Sequence, residues 1–330
     1  MRPGRPLSIR IGTRASALAK WQANWVAGEL SRIFPHIECV LVTIRTKGDK
    51  ILNSPLAGFG GKGLFVKEIE EALLKGEVDL AVHSMKDLPA DLDPELMVAA
   101  VPPREDPSDV IISRRGQSLE ELPQGATVGT SSLRRKAQLL ERRPDLNVVD
   151  LRGNVDTRIG KLDRQEGGLE AIVLAAAGIR RMGLWSRVTQ VLNPRDFLPA
   201  IGQGALAIET RLEDERLRSL LEPLDHSETR ACVTAERAVM RELQGGCQVP
   251  MAALALVEEE GGILLRGMVA SLQGRPVYRC SCRAALGEAE KAGLEVARGL
   301  VRMGAGEVLA ELRKPQLGLA SRVEPSGLKR

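Results

Sequence analysis

The sequence predicts an α/β protein of two lobes followed by a smaller α+β domain, and three observations carry that expectation. Short β-branched or apolar runs alternate with helix-periodic stretches over the first two thirds of the chain, the rhythm of open α/β sheets. A proline-bearing stretch, LMVAAVPPREDPSDVIIS, breaks that rhythm, and a glycine-rich apolar one, FLPAIGQGALAIETR, carries the chain back, so that two crossings join the lobes. From His226 onward the pattern becomes one long helix, strand-like runs and a closing helix. A chain of 330 residues also exceeds what a single core holds. The expected division is 1–102 with 203–225 as the first α/β domain, 103–202 as the second, 226–313 as the α+β domain, and 314–330 as an aperiodic tail.

In chain order, SIRIGTR reads as a strand, ALAKWQANWVAGELSRIF as a helix and ECVLVTIRT as a second strand. EVDLAVHSMKD is a strand that ends in a polar turn. ATVGT, NVVDLRG and AIVLAAAG are short buried strands, each followed by a helical stretch that opens on polar or basic residues. SETRACVTAERAVMRELQ is a helix with Cys232, Ala235, Val239 and Leu243 on one face, which places Cys232 in a core. GGILLRGMVAS and RPVYRCSCRA are strand-like, so Cys280 and Cys282 reflect strand alternation rather than a ligand pair.

Composition narrows the function classes. The longest uninterrupted apolar run, AIVLAAAGI, is far short of the ~20 residues of a membrane span. MRPGRPLSIRIGTR has no apolar core of a secretory signal, so a cytoplasmic protein with no membrane partner is expected. Five cysteines at irregular spacings are read as thiols, and three scattered histidines give no metal-ligand spacing, so no metal is expected. Net charge is +4, yet residues 130–187 hold twelve Lys or Arg against seven Asp or Glu. Such a field recruits an anion. Aromatic residues are only 2% of the chain, too few to stack single-stranded bases, so the anion is not expected to be nucleic acid. No exposed apolar stripe argues against a monomer.

Several stretches suit a smaller anion. GTSSLRRKAQLLERR puts Thr130, Ser131 and Ser132 after a strand and at a helix start, where unpaired backbone N–H groups point outward. The serines read equally as plain N-caps. Arg134 and Arg135, adjacent at that helix start, oppose the helix dipole and call for an external anion. Arg152 and Arg158 flank the Gly-Asn turn of LRGNVDTR, and Arg181 follows the next strand, so that strand ends bearing arginine would surround one crevice. Solvated surface charge is the alternative reading of the set. Arg14 and Ser16 of IGTRAS would line the opposite wall. GFGGKGLF lacks phosphate-loop spacing and reads as a flap carrying Lys62. In AVHSMKDLP, Lys86 and Asp87 follow a buried strand; by spacing Asp87 is a turn residue, and by chemistry a candidate for proton transfer and for stabilising developing positive charge. In ELQGGCQVP, Gly245 and Gly246 are expected to supply left-handed conformations that end the helix and to clear space around the Cys247 thiol. Spacing alone leaves that thiol open between a buried structural role and a functional one.

GGKGLFVKEIE, DLAVHSMKDLP, GTSSLRR, ERRPDL, LRGNVDTR, LPAIGQGA and ELQGGCQVP, occurring in this order between about Arg10 and Gly304, resemble the porphobilinogen deaminase (hydroxymethylbilane synthase) family. The resemblance implies two domains built like a type II periplasmic binding protein, an active cleft between them, and a third domain carrying a dipyrromethane cofactor in thioether linkage to Cys247. It implies head-to-tail condensation of four porphobilinogens, each losing ammonia to give an azafulvenium cation, and hydrolytic release of hydroxymethylbilane. By position within the motifs it further implies that Lys86, Thr130, Ser131, Ser132, Arg134, Arg135 and Arg158 contact the cofactor, and that Arg14, Ser16, Arg152, Arg158 and Arg181 contact substrate. Gln203 lies near the hinge with the substrate set, Lys62 belongs to the loop over the cleft, and Asp87 is the essential carboxylate.

Overall fold

A computed structural model describes residues 7–46, 66–245 and 249–313. Lys62 with the rest of its glycine-rich loop, Cys247, and the tail at 314–330 lie outside the described residues. In order, the described elements of the first part are β1 (Leu7–Arg14), α1 (Ala17–Ile33), β2 (Ile37–Ile44), α2 (Lys67–Leu74), β3 (Leu80–Ser84) and β4 (Leu96–Ala100). They are followed by β5 (Asp109–Ser113), β6 (Thr127–Gly129), α3 (Leu133–Arg142), β7 (Asn147–Val149), α4 (Val155–Asp163), β8 (Leu169–Ala175), α5 (Ala176–Arg181) and β9 (Gln190–Leu192). β10 (Leu206–Arg211) and α6 (Glu215–Leu221) then precede α7 (Ser227–Glu242), β11 (Met251–Val257), β12 (Gly262–Ala270), β13 (Val277–Ala285), α8 (Ala289–Leu300) and α9 (Gly306–Arg313).

Two five-stranded sheets follow one plan, with strand orders β2-β1-β3-β10-β4 and β7-β6-β8-β5-β9. In each, three parallel strands are followed by an antiparallel strand, β10 or β5, that enters directly from a crossing between the lobes. This is the two-lobed α/β arrangement that the sequence rhythm predicts. Both faces of the strands are covered, which is why they read as unbroken apolar runs. In β8, Ala171 and Val173 join the core beneath α3, whereas Ile172 and Leu174 join the one beneath α4 and α5. In the first lobe, α1 covers one face of the sheet through Ala23, Val26 and Leu30, and α2 covers the other through Ile69, Ala72 and Leu73.

The crossings run side by side. Glu105 N–H donates to the Gly204 carbonyl at 3.3 Å, and Gly202 and Gly204 both hold left-handed backbone, with φ of 71° and 89°. A Cβ at residue 204 would collide with the Glu105 carbonyl oxygen, and one at 202 would come within 2.5 Å of Met85 Cγ. Glycine is therefore required here twice over, by conformation and by space. Glu236 of α7, fully buried, ties the crossings to the third domain: its carboxylate accepts from Arg104 Nη1 at 2.6 Å, from Gly202 N–H at 2.7 Å and from Ala255 N–H at 2.9 Å.

The third domain packs α7 and α8 on the antiparallel sheet β11-β12-β13. Cys232, Ala235, Val239 and Leu243 are all buried in its core, as their spacing predicts. The end of α7 differs from expectation. Gln244, not Gly245, is the described residue with left-handed φ (46°), and Gly245 N–H reaches back to the Met240 carbonyl at 2.9 Å in a Schellman closure. What Gly245 supplies is space, because a Cβ there would run into Met251 Sδ, so its clearance serves core packing. Gly246 lies outside the described residues.

Candidate active site

A cleft of about 610 Å³ opens between the two lobes, and its described lining includes Arg14, Ser16, Lys86, Asp87, Arg135, Arg152, Arg158 and Arg181. The first lobe contributes the β1–α1 turn and the turn after β3; the second contributes the segments after β7 and β8. Ligand sites of α/β sheets lie outside such carboxyl ends of strands. Local sequence explains the placement. Ser16 caps α1, its hydroxyl accepting from Ala19 N–H at 3.3 Å, which aims the positive end of a 17-residue helix at the cleft. Gly153 (φ 116°) sharpens the turn after β7, and its carbonyl receives Arg158 Nε at 2.7 Å, holding that guanidinium inward. Arg181 donates to the Gly204 carbonyl at 2.8 Å and stands 5.8 Å from the ring of Trp21 on α1, so it touches both the crossing and the opposite lobe.

The electrostatics are one-sided. Among the described residues of the cleft, six cationic side chains stand with Asp87 and the exposed Asp156. Asp87 sits on the 3₁₀ turn Met85–Asp87, its side chain 37% exposed and its Oδ2 4.0 Å from Arg14 Nη1. Burial, reinforced by the charge of Arg135, lowers the Lys86 ammonium to about 8. Burial and Arg135 likewise bring Arg158 down to about 10, and burial lowers Arg181. Cations crowded together in this way favour the binding of several carboxylates at once, with bidentate Arg pairs as the strongest available contact. The donor set therefore fits an acidic polypyrrole such as the dipyrromethane, whose carboxylates Arg135, Arg158 and Lys86 would hold.

Five of the residues expected to touch ligand are not among the described residues that line this cleft. The Arg134–Arg135 pair has an internal counterion, which corrects the expectation that an external anion must balance it: Asp109, fully buried at the start of β5, accepts from Arg134 Nη1 at 2.7 Å and from Arg135 Nη2 at 2.7 Å. Burial alone would raise the Asp109 carboxyl, but the two guanidiniums hold it well below the usual carboxylate range. Arg134 is buried and also donates to the Leu198 carbonyl, so it braces α3 and leaves the cleft to Arg135. Thr130 Oγ1 accepts from Ser132 N–H, the Ser131 hydroxyl donates to the Leu151 carbonyl, and Ser132 caps α3, so these hydroxyls hold the turn. Gln203 Nε2 donates to Asp109 at 2.9 Å and to the Pro107 carbonyl at 2.7 Å, while its Oε1 accepts from Lys86 Nζ at 3.5 Å.

Many of the basic residues of 130–187 are paired with nearby acids. Arg143 pairs with Asp145, Arg187 with Asp163, Lys161 and Arg164 with Glu166, and Arg180 with Glu105 and Asp106. Sequence reasoning did not single out Asp109 or Glu236. A signal existed for each: Asp109 is an acid opening the wholly apolar run Val110-Ile111-Ile112, and Glu236 is an acid on the stripe between Cys232 and Val239.

Two family models match the chain: "Porphobilinogen deaminase, dipyromethane cofactor binding domain" over residues 9–219 and "Porphobilinogen deaminase, C-terminal domain" over 230–302. The chain is 52% identical to a porphobilinogen deaminase of Syntrophotalea carbinolica, over 92% of this chain and 96% of that protein. It is also 52% identical to one of Moorella thermoacetica, over 93% and 97%. Among solved structures, the chain is similar to the periplasmic aliphatic sulphonate binding protein SsuA from Escherichia coli at 17% identity and a TM-score of 0.39, covering 72% of this chain and 71% of that one. With family models spanning most of its length and relatives this close over nearly all of it, the chain belongs to the porphobilinogen deaminase family.

Proposed function

We propose that the protein is a transferase of the hydroxymethylbilane synthase type, joining four porphobilinogens head to tail with loss of ammonia and releasing a linear tetrapyrrole by hydrolysis. The observation that carries this reading is the cleft in which described Arg and Lys side chains face the carboxylate of Asp87. The dipyrromethane, tethered to Cys247, supplies a terminal pyrrole with a nucleophilic α-carbon. The chain's own residues do the rest. Arg14, Arg152 and Arg181 bind the acetate and propionate groups of incoming porphobilinogen, fixing the ring so that its aminomethyl carbon faces the growing end. Asp87 accepts hydrogen bonds from pyrrole N–H and stabilises the cation left when ammonia departs, a carboxylate held in place before the charge develops. The same reading takes the enzyme to be a cytoplasmic monomer divided at 1–102 with 203–225, 103–202 and 226–313. No described helix is long and apolar enough to cross a membrane.

The intact mass of purified protein is expected to exceed the sequence mass by one dipyrromethane, and Cys247→Ser to remove the excess together with activity. Active wild-type enzyme of unmodified mass would overturn the reading.

A pH effect follows from Lys86. Its ammonium is charged below about pH 8 and neutral above. The charged form offsets the cofactor carboxylates beside the substrate site, so KM for porphobilinogen is expected to rise up to about tenfold between about pH 7.5 and about pH 9. In Lys86→Gln, KM should be high throughout and show no inflection there. A wild-type profile flat across that interval would show that the charge of Lys86 is not felt at the porphobilinogen site.

A further inference from the structure

Asp87 needs more than its own contacts to stay in place. Its side chain is 37% exposed, and the Arg14 guanidinium lies 4.0 Å away, at the outer limit of an ion pair. A group that must meet a developing charge within a fraction of an ångström then depends on the backbone that carries it. That backbone is a single 3₁₀ turn, Met85–Asp87, leading into Leu88, Pro89 and Ala90, which belong to no helix or strand. On the upstream side the turn is held by the returning crossing: Met85 N–H donates to the Ala205 carbonyl at 3.0 Å, and Gly202 packs against Met85 and the Lys86 backbone nitrogen.

The downstream side is held from the third domain. Arg237 of α7 extends its guanidinium to this segment, and one nitrogen, Nη2, donates to both the Pro89 carbonyl at 2.7 Å and the Ala90 carbonyl at 3.1 Å. Val233, one turn earlier on α7, packs with Met85 and Leu88 in one buried cluster. Asp91 and Glu209 lend the guanidinium negative charge, against Arg241. Glu236, the neighbouring residue, grips Gly202 and Arg104. Two consecutive side chains of one helix thus clamp the Asp87 turn from both sides, Arg237 directly and Glu236 through the crossing.

We propose that Arg237 is a positioning residue for Asp87: by binding the carbonyls of Pro89 and Ala90 it fixes the turn that presents the carboxylate to the reacting pyrrole. Arg237 does not line the cleft, so it acts through the turn and not on the substrate. The inference rests on the enzymatic reading above and extends it to a residue of the third domain.

The test measures kcat and KM for porphobilinogen per mole of cofactor-loaded enzyme, counted by intact mass, for Arg237→Gln and Arg237→Lys, each in wild-type and Asp87→Glu backgrounds. Arg237→Gln is expected to lower kcat roughly tenfold or more with KM changed less than about twofold, and Arg237→Lys, which keeps a cationic donor, to recover part of the loss. In the Asp87→Glu background, where the carboxylate is already displaced, Arg237→Gln should lower kcat by less than about threefold. Unchanged kcat in Arg237→Gln, or an equal loss in both backgrounds, overturns the proposal, because a role confined to folding alters the yield of loaded enzyme and multiplies independently of Asp87. Should Arg237→Gln not accumulate as folded protein, the same two comparisons are read from Arg237→Lys. A wild-type protein that makes no tetrapyrrole would instead sink the enzymatic reading, which separates the two failures.

Discussion

Asp109→Ala is expected to destabilise the protein by about 3–5 kcal/mol, the cost of leaving buried charge without its partner. The magnitude follows from what converges on that side chain. Both carboxylate oxygens are used: Oδ1 by Arg135 Nη2, Arg135 Nε and Gln203 Nε2, and Oδ2 by Arg134 Nη1. Arg134 and Arg135 are both buried, and of the two only Arg135 borders the cleft. Removing the one negative charge therefore leaves two guanidiniums repelling each other in a low-dielectric interior. Thermal unfolding is the check, with a fall in Tm of about 4–7 °C. Asp109→Asn should fall between, since it keeps acceptor capacity and loses the charge. A Tm for Asp109→Ala within about 2 °C of wild type would show that the arginines find another anion or reach solvent.

Asp87→Ala is expected to do the reverse, removing activity while leaving the fold intact. Losing a preorganised group that faces developing charge lowers turnover by about 10²–10³-fold or more. Stability should hardly change, because Asp87 is partly exposed and its ion pair with Arg14, among the described residues, is long. Ammonia release from porphobilinogen and the unfolding midpoint, measured on the same preparation, are the two readings. Near-normal ammonia release would remove Asp87 from the mechanism. Two aspartates that the sequence presents alike, each at the junction of a strand and a polar stretch, are thereby assigned opposite work by what surrounds them.

That contrast also marks where sequence reading reaches its limit. Local signals were legible: the unbroken apolar runs of β5 and β8, the Ser16 and Ser132 caps, the Cys232 stripe on α7 and the proline- and glycine-bearing crossings all depend on neighbours within a few residues. The cleft was legible as a cluster of arginines after strand ends, because topology places such ends together. Pairing at a distance was not. Arg134 and Arg135 find their counterion 25 and 26 residues away, and Arg104 finds Glu236 across 132 residues, separations that no spacing rule encodes. The same limit explains why Gln244 and not a glycine adopts the left-handed turn after α7: Gly245 is needed at the next position, where the Met251 side chain leaves no room for a Cβ.

Glu236 has a consequence for the order in which the molecule becomes competent. Both lobes and both crossings are complete in the chain by about residue 225, yet Arg104 and the Gly202 amide, which lie where those crossings meet, take their carboxylate from α7. During synthesis from the amino end, an isolated pair of lobes would hold at its hinge a guanidinium without its carboxylate and an amide without its acceptor, a state that costs free energy until residue 236 arrives. Cys247 follows it by only eleven residues. The cleft thus sets into its working shape at nearly the same moment that the thiol emerges, and nascent chains that stall before this point should be the ones most exposed to proteolysis.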